Sequence, residues 1–268
     1  MSALVSSLKA ATADPLAHHG LAGKVVIVTG GGRGLGRALS EGFAAAGAHV
    51  VLTGRSADTL KGAVDAITEA GGSALGVPAD VAREEDMDAL CRTTLDAFGR
   101  IDVLVNNAGI NPWYKAAQDT SFAEWQTVID TNLTGVFLAC RAAGRVMLAQ
   151  GEGAIVNITS VAGRVALAKT TSYCAAKGGV ELMTRQLSLE WAKKGVRVNA
   201  VAPAYFETEL TEGLLANPVL AAPVLGRTPM GRFGHPTELV GACLFLASPA
   251  ASYITGASLA VDGGWTAA

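Results

Sequence analysis

From Lys24 onward the chain alternates short runs rich in β-branched residues with longer stretches whose apolar residues recur at helical spacing. Strands separated by helix-length crossovers must lie parallel, in a sheet whose two faces the helices cover, so this alternation constrains the fold more than any other feature. It predicts strands at Lys24 to Thr29, His49 to Thr53, Ala74 to Pro78, Asp102 to Asn106, Ala154 to Thr159, Val196 to Val201 and Ser258 to Val261. Helices are expected near 34–46, 57–70, 83–98, 122–150, 172–194 and 236–247. No internal repeat or Ser/Pro-rich linker separates two halves. The expected fold is therefore α/β and doubly wound: a single domain over residues 23–268, with seven parallel strands and helices on both faces. The stretch 204–235 breaks the pattern with Pro218, Pro223 and Pro229 among apolar residues, and reads as a lid laid over a site.

Composition excludes several classes. The chain has 21 basic and 23 acidic residues in 268, a net charge of −2, which argues against a nucleic-acid partner, since backbone binding needs clustered positive charge. Half its residues are hydrophobic and 16% are charged, so burial can offset the entropy of ordering. Cys91, Cys140, Cys174 and Cys243 show no close pairing, and no His or Cys lies at metal-ligand spacing from them, so no metal is expected. Residues 1–22 hold only short apolar clusters broken by Lys9, Asp14 and Pro15. Neither a signal-peptide core nor a membrane span is read there, and the expectation is a cytoplasmic protein with a loosely ordered N-terminal arm.

Thr29-Gly30-Gly31-Gly32-Arg33-Gly34-Leu35-Gly36 stands between the first strand and the first helix. Glycines there permit a tight turn and let backbone N–H groups and a helix N-terminus approach a pyrophosphate. The spacing is not G-x-G-x-x-G, nor the G-x-x-x-x-G-K-[ST] of a nucleoside triphosphate cradle. The second strand ends in Thr53-Gly54-Arg55-Ser56, without the carboxylate that suits a free ribose 2′-hydroxyl. Arg33 and Arg55 either clamp a 2′-phosphate, favouring NADP(H) while leaving NAD(H) possible, or are solvated surface arginines.

Tyr173 and Lys177 lie four apart on a helical stretch and share a face. A tyrosine with a pKa of about 10 is a poor base at neutral pH, and a neighbouring ammonium, helped by an oxidised nicotinamide, is expected to lower it. Ser160 closes a strand, where its hydroxyl can orient a substrate oxygen. It stands outside a G-x-S-x-G elbow, which disfavours a nucleophilic hydrolase. Asn132 sits inside the long 122–150 helix, where asparagine is a modest helix former. Singly, these residues read as an amphipathic pair, a loop cap and a surface amide. Asn107 likewise reads as a turn residue and Asp80 as a helix cap.

Together, Thr29-Gly-x-x-x-Gly34-x-Gly36, Asn106-Asn107-Ala108-Gly109, Asn132, Ser160 and Tyr173-x-x-x-Lys177 resemble the short-chain dehydrogenase/reductase family over about residues 22 to 266. The resemblance implies a Rossmann fold that interconverts a secondary alcohol and a ketone, with Tyr173 as acid/base and Lys177 on the nicotinamide ribose. Asn132 would hold a proton-relaying water. It further implies cofactor contacts at Gly30, Gly32, Arg33, Gly34, Leu35, Gly36, Arg55, Asp80 (on the adenine), Val81, Asn107, Ala108, Gly109, Pro203, Phe206 and Thr208, and a homotetramer. The family's Pro-Gly turn appears here as Pro203-Ala204, which removes access to positive φ.

Trp113, Tyr114, Tyr205, Phe206 and Leu210 either wall a substrate site or pack the lid. The segments Pro203 to Leu210, Arg227-Thr-Pro and Gly231-Arg-Phe-Gly resemble the gluconate 5-dehydrogenase and 3-oxoacyl-carrier-protein reductase branches. A sugar acid would want a cation such as Arg164 or Lys169, residues that otherwise read as solvated on a loop. An acyl carrier would want a basic cleft mouth, for which Lys193 and Lys194 are candidates, and these are equally explained by the dipole of the helix they end. The alternative from another class is a non-catalytic dinucleotide sensor on the same fold.

Overall fold

Val25–Thr29 form β1, and none of the five is more than 1% exposed. A strand hidden on both faces has no polar alternation to show, hence its continuous apolar run. The computed structural model describes residues 20–267. In it six strands join β1: β2 (His49–Gly54), β3 (Ser73–Pro78), β4 (Val103–Asn106), β5 (Gly153–Ile158), β6 (Val196–Pro203) and β7 (Ser258–Val261). All pair in parallel in the order β3-β2-β1-β4-β5-β6-β7, the doubly wound sheet that the alternation implies. The order reverses between β1 and β4, and ligands of such sheets bind at the carboxyl edge beside that reversal.

The helices are α1 (Gly34–Ala45), α2 (Ala57–Glu69), α3 (Glu84–Phe98), α4 (Phe122–Ile129), α5 (Gly135–Gln150), α6 (Thr171–Trp191), α7 (Glu212–Leu215), α8 (Pro218–Arg227) and α9 (Val240–Ala247). Successive strand residues point to opposite faces and so build two cores. Val26, Val28, Val50 and Leu52 pack with Phe43 of α1, Leu60 of α2 and Leu244 of α9. Ile27, Val51, Leu104 and Ile155 pack with Leu90 of α3, Met147 of α5 and Val180 of α6. Each such side chain contributes about 1.5–3 kcal/mol by leaving water.

The helix expected over 122–150 is interrupted. Asp130–Thr134 form a π-turn between α4 and α5. Its cause lies in Asn132, whose Nδ2 donates to the Val128 carbonyl at 2.9 Å and so competes for an acceptor of the helical ladder. Ala204 avoids positive φ; Lys169 (φ 62°) is the one non-glycine residue there among those described. The N-terminal arm lies, up to His19, outside the described residues, whereas Leu21 is buried in the first core. The 204–235 stretch carries α7 and α8, and an isolated bridge between Phe206 and Gly234 joins its two ends.

A buried polar chain ties the central strands to α6. Asn106 Nδ2 donates to Asn157 Oδ1 at 2.9 Å, and Asn157 Nδ2 donates to Thr184 Oγ1 at 2.9 Å. Truncating the middle member takes from Asn106 Nδ2 its oxygen acceptor, leaving it only the Cys140 sulfur, and removes the donor to Thr184 Oγ1, which keeps its bond to the Val180 carbonyl. Asn157→Ala should therefore cost about 1–3 kcal/mol, read as a lower midpoint in urea unfolding.

Candidate active site

The glycine loop turns from β1 into α1 at the carboxyl edge. Gly30 has φ 64°, open to glycine at little cost. At Gly36 a Cβ would stand 1.9 Å from the Gly30 carbonyl oxygen, so only glycine lets the helix start this close to the strand end. The loop is braced from β4: Asn107 Nδ2 donates to the Thr29 and Gly30 carbonyls at 3.0 and 3.2 Å. Thr29 Oγ1 accepts from the Asn107 and Ala108 N–H groups, both at 3.0 Å. Ser40 on α1 completes the brace by donating to the Gly31 and Gly36 carbonyls. Among these, Thr29 and Ser40 carry contacts that the sequence motif alone did not assign.

The resulting cradle fits a dinucleotide: backbone N–H groups at a helix N-terminus, with no room for a side chain between loop and helix. Arg33 and Arg55 are exposed just beyond Thr29 and Thr53, which the β1–β2 register pairs, so both stand at the same edge. Asp80 and Val81 follow β3. The Asp80 carboxylate accepts from Ala82 N, and Val81 packs where a Cβ on Gly135 would meet it at 2.8 Å. Pro203 is buried at the end of β6, and Phe206 is buried against Gly234. Thr208 reaches the loop, 3.6 Å from a Cβ placed on Gly34.

The other group of residues converges beside β4 and β5. Lys177 is buried on α6 and donates from Nζ to the Ile158 carbonyl at 2.8 Å. That nitrogen lies 5.7 Å from the centre of the Tyr173 ring. Ser160 heads a short turn, and its Oγ accepts from Ala162 N at 3.1 Å. Asn132 is fully buried: its Oδ1 accepts from Ile110 N and its Nδ2 donates to the Ile110 carbonyl, which pins the β4–α4 connection. A Cβ on Gly109 would meet Asn132 Oδ1 at 2.7 Å and Lys177 Nζ at 3.7 Å, so both close on one point.

Burial dominates the electrostatics. It pushes the Tyr173 phenol up to about 12, against a lowering hydrogen bond with Ser160. It draws the Lys177 ammonium down to about 8. The lowering of Tyr173 expected from Lys177 is thus not produced by the chain's own groups, because desolvation disfavours both charged forms.

Three other expectations meet a different geometry. Arg164 donates to the backbone and side-chain oxygens of Ser258 and faces Glu181 at 3.7 Å, so it is engaged in structure. Lys193 and Lys194 close α6 and precede β6, at the opposite edge of the sheet from Tyr173, after about 30 Å of helix. The aromatic set divides: Phe206 packs inside, Tyr114 is exposed, and Tyr205 stacks edge-on against Trp265 at 6.1 Å.

The family profile described as "Enoyl-(Acyl carrier protein) reductase" matches residues 30–266. A 3-oxoacyl-[acyl-carrier-protein] reductase of Synechocystis sp. is 46% identical over 251 residues, which are 91% of this chain and 97% of the relative. A galactitol 2-dehydrogenase (L-tagatose-forming) of Cereibacter sphaeroides is 45% identical over 248 residues, 92% of this chain and 96% of the relative. The crystal structure of a gluconate 5-dehydrogenase from Burkholderia cenocepacia, in complex with NADP and tartrate, superposes with a TM-score of 0.91 at 36% identity, covering 95% of this chain and 100% of that one. The chain belongs to the short-chain dehydrogenase/reductase family and is an NAD(P)-dependent oxidoreductase acting on CH–OH groups, which sets aside a non-catalytic sensor.

Because folded Lys177 loses its proton near pH 8 instead of 10.5, the unfolded chain binds more protons between those values, and this group makes stability rise with pH there. Lys177→Met should hold its greatest advantage over wild type below about pH 8 and lose it progressively toward about pH 10.5. Urea unfolding of both proteins across that range measures the gap, and a gap independent of pH would contradict the burial of a titrating ammonium.

Proposed function

We propose that the protein is an NADP(H)-dependent oxidoreductase that interconverts a secondary alcohol and a ketone, with Tyr173 as the general acid/base. The observation that carries this reading is the cluster at the carboxyl edge in which Asn132 and Lys177 close on Gly109, Lys177 stands 5.7 Å from the Tyr173 ring and Ser160 hydrogen-bonds Tyr173. Since the Ser160 oxygen accepts from Ala162 N, its proton remains to be donated, and it orients the substrate oxygen beside Tyr173. In ketone reduction the Tyr173 phenol gives its proton to that oxygen, and a high pKa keeps it protonated for the task. Lys177, with one N–H spent on Ile158, keeps two donors for the ribose hydroxyls. A bound nicotinamide supplies or accepts the hydride, and in its oxidised form adds a positive charge that favours phenolate. Asn132 holds the Ile110 backbone and positions a relaying water.

Gly30, Gly32, Gly34, Leu35, Gly36 and Asn107 to Gly109 form the pyrophosphate cradle. Asp80 and Val81 flank the adenine, and Pro203, Phe206 and Thr208 approach the nicotinamide end. Arg33 and Arg55 take the 2′-phosphate. The 204–235 stretch serves as lid. A homotetramer is supported by exposed Phe137 on α5 and by Leu182 and Leu189 on α6, which leave apolar surface on two long neighbouring helices. Four thiols without disulfides support a reducing, cytoplasmic location. Of the two substrate readings, a sugar acid and a 3-oxoacyl thioester, the second loses Lys193 and Lys194 as candidate cations of the cleft mouth, since both lie at the opposite edge of the sheet.

Tyr173→Phe keeps the ring and removes the titrating hydroxyl. It should lower kcat about 10²–10⁴-fold while changing dinucleotide affinity less than about threefold, and normal turnover would end the proposed mechanism. Arg55→Ser should weaken NADPH binding about tenfold and leave NADH nearly unchanged in fluorescence titration.

A further inference from the structure

The lid ends α8 on Arg227, whose guanidinium carbon lies 3.8 Å from the centre of the Trp265 ring. At that distance the planar cation is seated face-on by attraction to the indole, and the ring holds it in place without using its N–H groups. Trp265 is itself buried and makes an edge contact with Tyr205, just beyond the end of β6. Tyr205 and Tyr114 both lie near enough to Tyr173 to disfavour its ionisation, while the Arg227 charge favours that of Tyr205. Arg227 thus lies on Trp265 and within charge reach of Tyr205, which itself stands near Tyr173, whereas Arg33 and Arg55 lie at the β1–β2 end.

Three other cations are engaged, whereas Lys169 is exposed and makes no ion pair among the described residues. Arg232 pairs with Glu238, Lys115 with Glu124, and Arg164 with Ser258 and Glu181. Arg227 is exposed and makes no ion pair among the described residues. The ring contact at 3.8 Å uses none of the N–H groups, and a guanidinium with its N–H edge open can meet a carboxylate with two parallel hydrogen bonds. Trp265 Nε1 is also buried without a partner among the described residues, so the pair carries unspent donors.

We propose that Arg227, seated on Trp265, is the specificity residue that binds a carboxylate of the substrate, and that the substrates are hydroxy acids and their keto acids with the carboxylate remote from the reacting carbon. This rests on the acid/base reading of Tyr173 but concerns a different part of the molecule. A neutral polyol or ketose of the same length would forfeit the pairing, and the enzyme would discriminate by charge.

The test compares ketones that differ only in that group: 5-keto-D-gluconate against L-sorbose, and 4-oxocyclohexanecarboxylate against its amide, with the reduced dinucleotide bound. Wild type should favour each acid in kcat/KM by about tenfold or more. Arg227→Met should bring the ratio near one, and Arg227→Lys, which keeps charge without the fork, should fall between. If neither member of a pair is reduced, calorimetric affinity of the dinucleotide-loaded protein for acid against neutral partner gives the same ratio. A wild-type ratio near one, or a preference that survives in Arg227→Met, overturns the assignment. Retained turnover in Tyr173→Phe would instead overturn the acid/base reading and leave the charge preference standing.

Discussion

Every strand of this sheet runs the same way, and that single constraint organises the rest. Parallel strands need crossovers, the crossovers cover both faces with helices, and all seven carboxyl ends emerge at one edge. Helices that follow those strands begin at the same edge, so backbone N–H groups gather where the chain is least regular. The glycine loop, the Ser160 turn, the start of α6 with Tyr173 and the start of the 204–235 stretch are all there because of strand direction. The opposite edge carries different work: Asp102 accepts from Lys24, Arg100 and the Val25 N–H, which binds the strand starts together.

Burial then sets the chemistry at that edge. Desolvation favours a neutral phenol at Tyr173 and a neutral amine at Lys177, and it acts more strongly than their proximity. Under the proposed acid/base role of Tyr173, a phenol kept protonated suits ketone reduction, and the reverse reaction would depend on the positive charge of an oxidised nicotinamide. Lys177 Nζ and Asn132 Oδ1 both close on the Gly109 position. Among the cations outside this centre, Arg232 is engaged in an ion pair and Arg227 is held by a ring.

Much of the fold could be read directly from residue order. Strand runs, helix periods and the absence of a linker are local properties, and each strand appeared within a few residues of its expected place. The glycine loop and the Tyr173 to Lys177 spacing were legible for the same reason, since turn chemistry and a four-residue helical step act over short distances. The π-turn at Asn132 was not, because a side chain competing for the Val128 carbonyl leaves no mark on apolar periodicity.

What the sequence by itself determined was the parallel α/β architecture and the spacing of its motif residues, both set by backbone geometry and hydrophobic period. Tertiary structure alone decided which charges are free. Arg164, Lys193 and Lys194 read as candidates along the chain, yet Ser258 and Glu181 engage the first, and strand direction carries the other two to the far edge. Arg227 and Trp265, thirty-eight positions apart in sequence, meet only because the 204–235 stretch folds back toward the residues after β7. Pairing and desolvation depend on what lies across space, and no local pattern encodes that.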